Sequence, residues 1–160
     1  ALPIWDLSQC ISEKGISELA SIPKDLRIGT PATISENYRN ARQITEYVNR
    51  EFSMEMLAVG LNGKQKRVDM IPDLEIAQDD RVAIIVSGAP LILNDFLCDH
   101  DVVFFDEQRE IVRGAYNVIS VANVKGLEFE KAIVVLSGMT LNEQYVACTR
   151  AIQELYVIPS

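Results

Sequence analysis

The chain contains few of the residues that hold metals or form covalent cross-links. Its 160 residues include a single histidine and three cysteines. Cys10, Cys98 and Cys148 are odd in number and far apart, and no CxxC motif or His/Cys cluster exists, which argues against a disulfide framework and a zinc site. His100 stands alone and is interpreted as a loop residue, because a metal site needs more ligands. This cysteine usage predicts a reducing, cytoplasmic environment.

The sequence also lacks an excess of positive charge and a long apolar run. Fifteen basic and 23 acidic residues give a net charge of −8, which argues against a broad basic face that grips nucleic acid. Any contact with a nucleic acid must therefore be local or supported by another domain. No apolar run approaches the roughly 20 residues of a membrane span, and the first ten residues do not resemble a signal peptide. We expect no membrane partner.

What the chain does have is enough apolar material for one core. Hydrophobic residues make up 48% of the sequence and charged residues 24%, as in ordinary globular domains. Strand-like and helix-like patterns alternate, which predicts an α/β fold of three layers with a mostly parallel sheet. The predicted strands are 33–35, 56–59, 67–70, 82–86, 101–105, 118–121, 132–135 and 155–158.

The domain proper is predicted to cover residues 30–160, and residues 1–29 are interpreted as an N-terminal appendage with a helix over 11–22. Further helices are predicted over 41–52, 90–97 and 142–153, which Asn40, Pro90 and Asn142 would begin. Asn40 and Gln43 have the spacing of a capping box. The Asn62-Gly63 pair is a strong turn signal, so residues 54–70 are predicted to form a strand pair or an irregular hairpin.

The most informative stretch runs from Asn117 to Val135 and is predicted to form a strand, a turn and a strand. Between the apolar segments lie Lys125, Gly126 and Glu128. Gly126 can adopt a positive φ or let a ligand approach the backbone closely. The two charged residues would lie at the end of the sheet, where α/β folds bind ligands. The alternative is a tight loop with two solvated charges.

Two other polar segments carry alternative interpretations. Tyr38 and Arg39 lie at a predicted junction of strand and helix, near a helix N-terminus suited to anions. The alternative there is a tyrosine packed under the sheet and a surface arginine. The basic cluster of Lys64, Lys66 and Arg67 is interpreted as a solvated face rather than a nucleic-acid contact. Gly63-Lys64 does not form a P-loop, which requires GxxxxGK[ST] between a strand and a helix.

Three ordered segments carry a family resemblance over residues 33–158. VKGLEFEKAIVV and QYVACTRAIQELYVI resemble motifs V and VI of the UvrD/Rep-like superfamily 1 helicases. The segment Asn37-Tyr38-Arg39, followed by a helix, resembles motif IV. The resemblance implies the second, C-terminal RecA-like domain of such an enzyme, a fold of the P-loop NTPase type that here lacks its own P-loop.

The resemblance also implies residue roles. It implies that Tyr38 stacks on adenine, that Arg39 approaches the γ-phosphate, and that Glu128 binds the ribose with Gly126 beside it. It makes Arg150 the arginine finger, although a late position on a helix would itself favour an arginine. Gln144 matches the polar position at the start of motif VI. Tyr145 is interpreted as a core residue, because it shares a helical stripe with Thr149 and Ile152.

For nucleic acid, the resemblance implies contacts near motif V, from Lys125 and Asn123. Many relatives have a histidine three positions before the lysine, and here that position is Ala122. This departure puts a side-chain contact to DNA at that position in doubt.

The absence of a P-loop and of an acidic Mg²⁺-binding segment limits what these residues can do alone. Phosphoryl transfer needs a metal and a phosphate cradle, so we expect the 160 residues not to hydrolyse ATP by themselves. ATP with Mg²⁺ would bind between this domain and a missing N-terminal RecA-like domain, which would hold the metal. Single-stranded DNA would be the further partner. The alternative is a non-catalytic module, binding protein or nucleic acid, of a HelD-type factor that remodels RNA polymerase.

Overall fold

The computed structural model describes residues 36–108 and 110–159. The predicted appendage over 1–29, its helix over 11–22 and the predicted strand over 33–35 lie outside these residues. Within the described ranges, no helix has the length and hydropathy needed to cross a membrane.

The centre of the domain is a six-stranded sheet in which every neighbouring pair of strands is parallel. In spatial order the strands are β3 (Lys64–Arg67), β8 (Ala151–Ile158), β7 (Phe129–Val135), β4 (Val82–Val86), β6 (Tyr116–Ser120) and β5 (Val102–Phe104). Two short strands, β1 (Glu36–Asn37) and β2 (Leu57–Ala58), pair in parallel as a separate small sheet.

Helices cover both faces of the sheet. On one face, α1 (Arg42–Phe52) and α4 (Leu141–Cys148) contribute to the larger core, whose fully buried side chains include Ile44 and Val146. On the other face, α2 (Leu91–Asp99) packs Leu93 and Phe96 into a second core. A single helical turn, α3 (Phe105–Gln108), links β5 to β6. The predicted three-layer α/β class is confirmed.

The central strands form where their composition predicts. All five residues of β4 are buried. The predicted strand over 132–135 is the buried, carboxyl-terminal part of β7. Continuous β-branched and aliphatic runs of this kind are typical of parallel strands covered on both faces. The helical stripe of α1 is also confirmed, because Ile44, Tyr47 and Val48 are buried.

The connection from β6 to β7 differs from the predicted turn. Val121 leaves the strand and begins a short 3₁₀ helix, Val121–Asn123, and β4 lies between β6 and β7 in the sheet. Residues 121–128 therefore cross the sheet without an α-helix, with Val121 and Val124 buried in the larger core. Asn123 thus lies near the carboxyl end of β6, whereas Glu128 precedes the amino end of β7.

The predicted hairpin over 54–70 is wrong. β2 pairs with β1, and β3 pairs with β8, both in parallel. Gly63 serves close packing, because a Cβ atom there would lie 2.2 Å from the Gln153 carbonyl oxygen. The exposed cations of β3 lie along the outer edge of the sheet, where they discourage pairing with another chain.

Two predicted helix starts are also wrong. The N-cap of α1 is Ala41, which makes no side-chain capping bond. The N-cap of α4 is Thr140, two residues before the predicted Asn142, because Thr140 and Glu143 form a complete capping box. It ends at Cys148, so Ile152 belongs to β8 and not to the helical stripe. Tyr145 is buried, as predicted.

Candidate nucleotide site

Three segments that are distant in sequence meet at the amino ends of β7 and β8. The Phe129 amide donates a hydrogen bond to the Arg150 carbonyl at 3.0 Å. The Asn40 side-chain amide donates to the carbonyls of Thr149 and Ala151, at 3.0 and 2.6 Å. The segments that resemble motifs IV, V and VI therefore form one cluster. It lies at the opposite edge from the carboxyl ends where ligands usually bind in α/β sheets.

Arg39 and Glu128, two of the predicted site residues, contact each other in this cluster. The Arg39 Nη1 atom lies 3.2 Å from the Glu128 Oε1 atom. Their side chains remain 43% and 37% exposed. This single contact joins the motif IV segment to the motif V segment and leaves both charged groups within reach of a ligand.

Arg150 lies beside them, but its side chain is buried. The residue is 2% exposed and follows α4 rather than lying within it, in contrast to the predicted position late on the helix. Its Nε atom donates to the Val146 carbonyl at 3.1 Å, and Nη2 donates to the Thr149 hydroxyl at 3.2 Å. Nη1 lies 3.5 Å from the Leu127 carbonyl, next to Glu128. These contacts hold the guanidinium inside the cluster.

Tyr38 projects from the cluster into solvent. It is 69% exposed, so the alternative of a tyrosine packed under the sheet is wrong. Its hydroxyl donates a hydrogen bond to Glu36 Oε2 at 2.6 Å. That hydrogen bond, with the charge of Glu36, raises the pKa of Tyr38 above its ordinary value. The ring is therefore neutral and accessible for stacking.

The backbone at Gly126 is open. Its φ is +85°, a left-handed conformation that disfavours side chains, and a Cβ atom there would meet nothing within 4 Å. Lys125 beside it is exposed. Gln144 is placed differently, because its amide donates to the Met139 carbonyl at the amino end of α4, away from Arg150.

Asn123 belongs to the other edge of the sheet. Its amide donates to Asp106 Oδ1 at 2.7 Å, just beyond the carboxyl end of β5. A cavity of about 370 Å³ lies at this edge, lined by residues that include Val86, Phe104, Asp106 and Ser120. The predicted site residues therefore divide between two edges, with the crossover 121–128 running from one to the other.

The N-terminus of α1 is less open to anions than its sequence suggests. The Arg42 amide donates to the Leu61 carbonyl at 2.9 Å. The Gly63 amide, in the same loop, donates to the Gln43 side chain at 2.8 Å. Gln43 therefore holds the loop and does not complete the predicted capping box. An anion here would be bound by side chains such as Arg39 more than by the helix terminus.

Sequence reasoning missed the part that Asn37 and Asn40 play. Asn37 Oδ1 accepts the amide hydrogens of Arg39 and Asn40, both at 3.1 Å, and its Nδ2 donates to Asn40 Oδ1 at 2.9 Å. This is the behaviour of an Asx turn. Two asparagines on either side of a Tyr-Arg pair are the sequence feature that could have revealed it.

The described residues fit a nucleotide in part. Tyr38, Arg39 and Glu128 are accessible and suit a base, a phosphate and a ribose, and Gly126 leaves space beside them. Within 36–108 and 110–159, no three His, Cys, Asp or Glu residues converge to hold a metal ion.

Solved structures provide three comparisons. The C-terminal domain of a possible DNA helicase from Lactobacillus plantarum WCFS1 is 18% identical, with a TM-score of 0.48, covering 77% of this chain and 87% of that one. The nsp10 helicase of PRRSV is 12% identical, with a TM-score of 0.43, covering 77% and 23%. An arterivirus nonstructural protein 10 helicase in complex with DNA is 18% identical, with a TM-score of 0.46, covering 78% and 25%.

The chain thus spans about a quarter of each viral helicase. No family model and no curated protein sequence matches it.

Proposed function

We propose that this domain is the second RecA-like motor domain of an ATP-dependent superfamily 1 helicase or translocase that acts on DNA. The observation that carries the proposal is the meeting of Arg39, Glu128 and Arg150 at one edge of the sheet, from three segments far apart in sequence. Motor domains of this kind need such a set of charged groups facing a cleft. An N-terminal RecA-like domain would supply the phosphate cradle and the Mg²⁺ site.

The Arg39–Glu128 pair suits an exchange of partners. Ion pairs with this exposure contribute about 0–1 kcal/mol, so a ligand can separate them at little cost. Arg39 would then turn to the γ-phosphate and Glu128 to a ribose hydroxyl. Tyr38 would stack on adenine from its exposed position, and Gly126 would leave room for the sugar.

Arg150 would act as a retracted arginine finger. Its described acceptors include two backbone carbonyls and a hydroxyl, neutral oxygens that hold a guanidinium less strongly than a phosphate does. The contact with Leu127 is the longest of the three, and it joins Arg150 to the turn that carries Glu128. Rearrangement of that turn around a bound nucleotide would let the guanidinium move towards the γ-phosphate. Gln144 would have a lesser polar role in α4.

The crossover 121–128 would connect the nucleotide to nucleic acid. Glu128 is at one end of it and Asn123 at the other, with Lys125 exposed between them. Asn123 and Lys125 would contact single-stranded DNA. A change at Glu128 would therefore reach the DNA contact through one short segment, which the buried Val121 and Val124 anchor in the core. Closure and opening of the cleft would then move the strand.

A second candidate is a non-catalytic module of a HelD-type factor that binds RNA polymerase. The burial of Arg150 favours this candidate, because a buried guanidinium that does not reach a phosphate would have only a structural role. The mass of the native polypeptide and a search for a P-loop upstream separate the two candidates. An upstream P-loop supports the motor, and a native chain without one supports the binding module.

The decisive experiment measures DNA-stimulated ATPase in the complete polypeptide. Arg150→Lys keeps the charge but loses the planar fork, and Arg150→Ala removes both. Loss of an arginine finger lowers kcat by about 10³–10⁵-fold. The matched control is Arg113→Ala, an exposed arginine that contacts the Asp79 carbonyl.

Circular dichroism must accompany these assays. The burial of Arg150 means that Arg150→Ala costs stability. Folded variants of Arg150 with the wild-type rate would refute the finger.

A further inference from the structure

Among the side chains of the cluster, Asn40 makes the described contacts that are farthest apart in sequence. Its residue is 2% exposed, and its one amide nitrogen donates to two carbonyls, those of Thr149 and Ala151. These two carbonyls are on either side of Arg150. A single side chain therefore fixes the backbone before and after the proposed finger.

The backbone around Arg150 is held at four consecutive carbonyls. Asn40 Nδ2 donates to those of Thr149 and Ala151, and the Phe129 amide donates to that of Arg150. The Ala41 amide donates to the Ile152 carbonyl at 2.8 Å. Three of these four bonds come from Asn40 and Ala41. The residues that precede α1 therefore fix the backbone position from which the Arg150 side chain extends.

Asn40 is itself held in place. Its side-chain oxygen accepts from Asn37 Nδ2 at 2.9 Å, while Asn37 Oδ1 holds the amides of Arg39 and Asn40. The orientation of the Asn40 amide is therefore determined by a network that also fixes the backbone of Arg39. Hydrogen bonds through Asn40 therefore connect the backbone of Arg39 to the backbone on both sides of Arg150.

We propose that Asn40 is the positioning residue for Arg150 and couples it to the Tyr38–Arg39 segment. The role rests on the proposed function, since positioning a finger matters only where a phosphoryl group is transferred. Asn40 would not touch the nucleotide. It would keep the backbone of residues 149–151 in the one arrangement from which the guanidinium reaches the γ-phosphate.

The first measurement uses this chain alone and follows the Nε–Hε resonance of Arg150 by NMR. Asn40→Ala removes two side-chain bonds to the backbone. The matched control, Asn49→Ala, also removes two, because Asn49 Nδ2 donates to the Met56 carbonyl and Asn49 Oδ1 accepts the Met56 amide. We expect hydrogen exchange at Arg150 Nε to accelerate about tenfold in Asn40→Ala, the factor that corresponds to one lost hydrogen bond, and little in Asn49→Ala.

Equal effects of the two variants, or no effect of Asn40→Ala, would overturn the positioning role. If Asn40→Ala does not fold, Asn40→Ser keeps a single donor. The folded serine variant is then judged by the same two outcomes.

The second measurement uses the complete polypeptide. Small misplacement of a catalytic group costs about a hundredfold in rate, so Asn40→Ala should lower kcat by about that factor with little change in the KM for ATP. A change in KM alone would assign Asn40 to nucleotide binding and overturn the proposal. If Arg150→Lys retains full ATPase while the NMR result holds, the proposed function fails and the coupling between Asn40 and the Arg150 backbone stands.

Discussion

Two Arg–Glu pairs lie near the amino end of β7, and they differ in kind. Arg81 meets Glu130 through both its side chain and its amide, with distances of 2.6 Å to Nη2, 3.0 Å to Nε and 2.8 Å to the backbone nitrogen. Arg39 meets Glu128 through one described contact of 3.2 Å. The Arg81–Glu130 side chains are 30% and 21% exposed, and those of Arg39–Glu128 are 43% and 37% exposed.

The difference separates a structural pair from an exchangeable one. Glu130 bridges the start of β4 and the start of β7 and accepts a backbone hydrogen bond that water would otherwise have to satisfy. Glu128 has no such role among its described contacts and can give up Arg39 at low cost. Two glutamates separated by one residue can therefore serve different purposes, and only the geometry of their partners distinguishes them.

The largest expected effect on the free energy of unfolding comes from breaking the structural pair. Glu130→Ala leaves the Arg81 amide and guanidinium without this acceptor, at a cost of about 2–3 kcal/mol. Glu128→Ala should cost less than about 1 kcal/mol. Urea denaturation of this chain measures both changes. Equal losses would erase the distinction between the pairs.

The exchangeable pair should instead matter for function. The proposed role of Arg39 predicts that Arg39→Ala in the complete polypeptide removes a charged hydrogen bond to phosphate worth about 1.5–3 kcal/mol, so kcat/KM for ATP should fall by at least about tenfold. Its effect on unfolding should stay within about 0.5 kcal/mol. Arg81→Ala is the matched comparison. It should lower the free energy of unfolding more and kcat/KM for ATP less than Arg39→Ala does. A normal rate in folded Arg39→Ala would remove Arg39 from the site.

Two double-mutant cycles measure the coupling free energy within each Arg–Glu pair, which is smaller than the effects of the single substitutions. We expect a coupling free energy of about 1.5 kcal/mol between Arg81 and Glu130, because the contact is bidentate and partly buried. The coupling between Arg39 and Glu128 should be below about 0.5 kcal/mol. Unfolding midpoints of the single and double alanine variants provide the measurement, and a reversed order would contradict it.

The smallest effect concerns pH. Burial alone would raise the pKa of Glu130, but the hydrogen bonds from Arg81 outweigh burial and lower that pKa below its ordinary value. Because the folded-state pKa is the lower one, Glu130 stabilises the fold above the ordinary glutamate pKa of about 4.3 and loses this contribution as the pH falls towards the folded-state value. Glu130→Gln should flatten the fall in unfolding free energy below about pH 5. In an Arg81→Ala background, the same substitution should change that slope much less.

The sequence predicts those parts of the fold that depend on local composition. A continuous apolar run, as in β4 and β7, indicates a buried strand, and a helical apolar stripe, as in α1, indicates a helix packed on a core. Parallel pairing is less visible, because β3 meets a strand far along the chain and nothing near Asn62-Gly63 indicates that. The hairpin prediction is therefore wrong, and residues 61–63 form an irregular connection rather than the predicted turn.

The candidate site shows the same limit at the level of single residues. Asn40 has the side chain of a helix cap, and a local rule assigns it to the nearest helix. In the structure its amide serves carbonyls more than a hundred positions away, at Thr149 and Ala151. Similarly, Asn142 is the predicted cap of α4, but the cap in the structure is Thr140, whose partner Glu143 completes the box. Here the signal was local, because the Thr-x-x-Glu spacing of Thr140 and Glu143 is a sequence signature of a helix start.

The position of β8 inside the sheet has a consequence for the order of folding. β8 lies between β3 and β7, so β3 has no neighbour in the sheet until the whole stretch from Arg67 to Ala151 has been synthesised. Contacts that close such long loops form slowly. Arg150 immediately precedes this strand, and its carbonyl pairs with Phe129. On the ribosome, the candidate nucleotide site would therefore form only when the sheet closes, and incomplete chains would not present a half-built site.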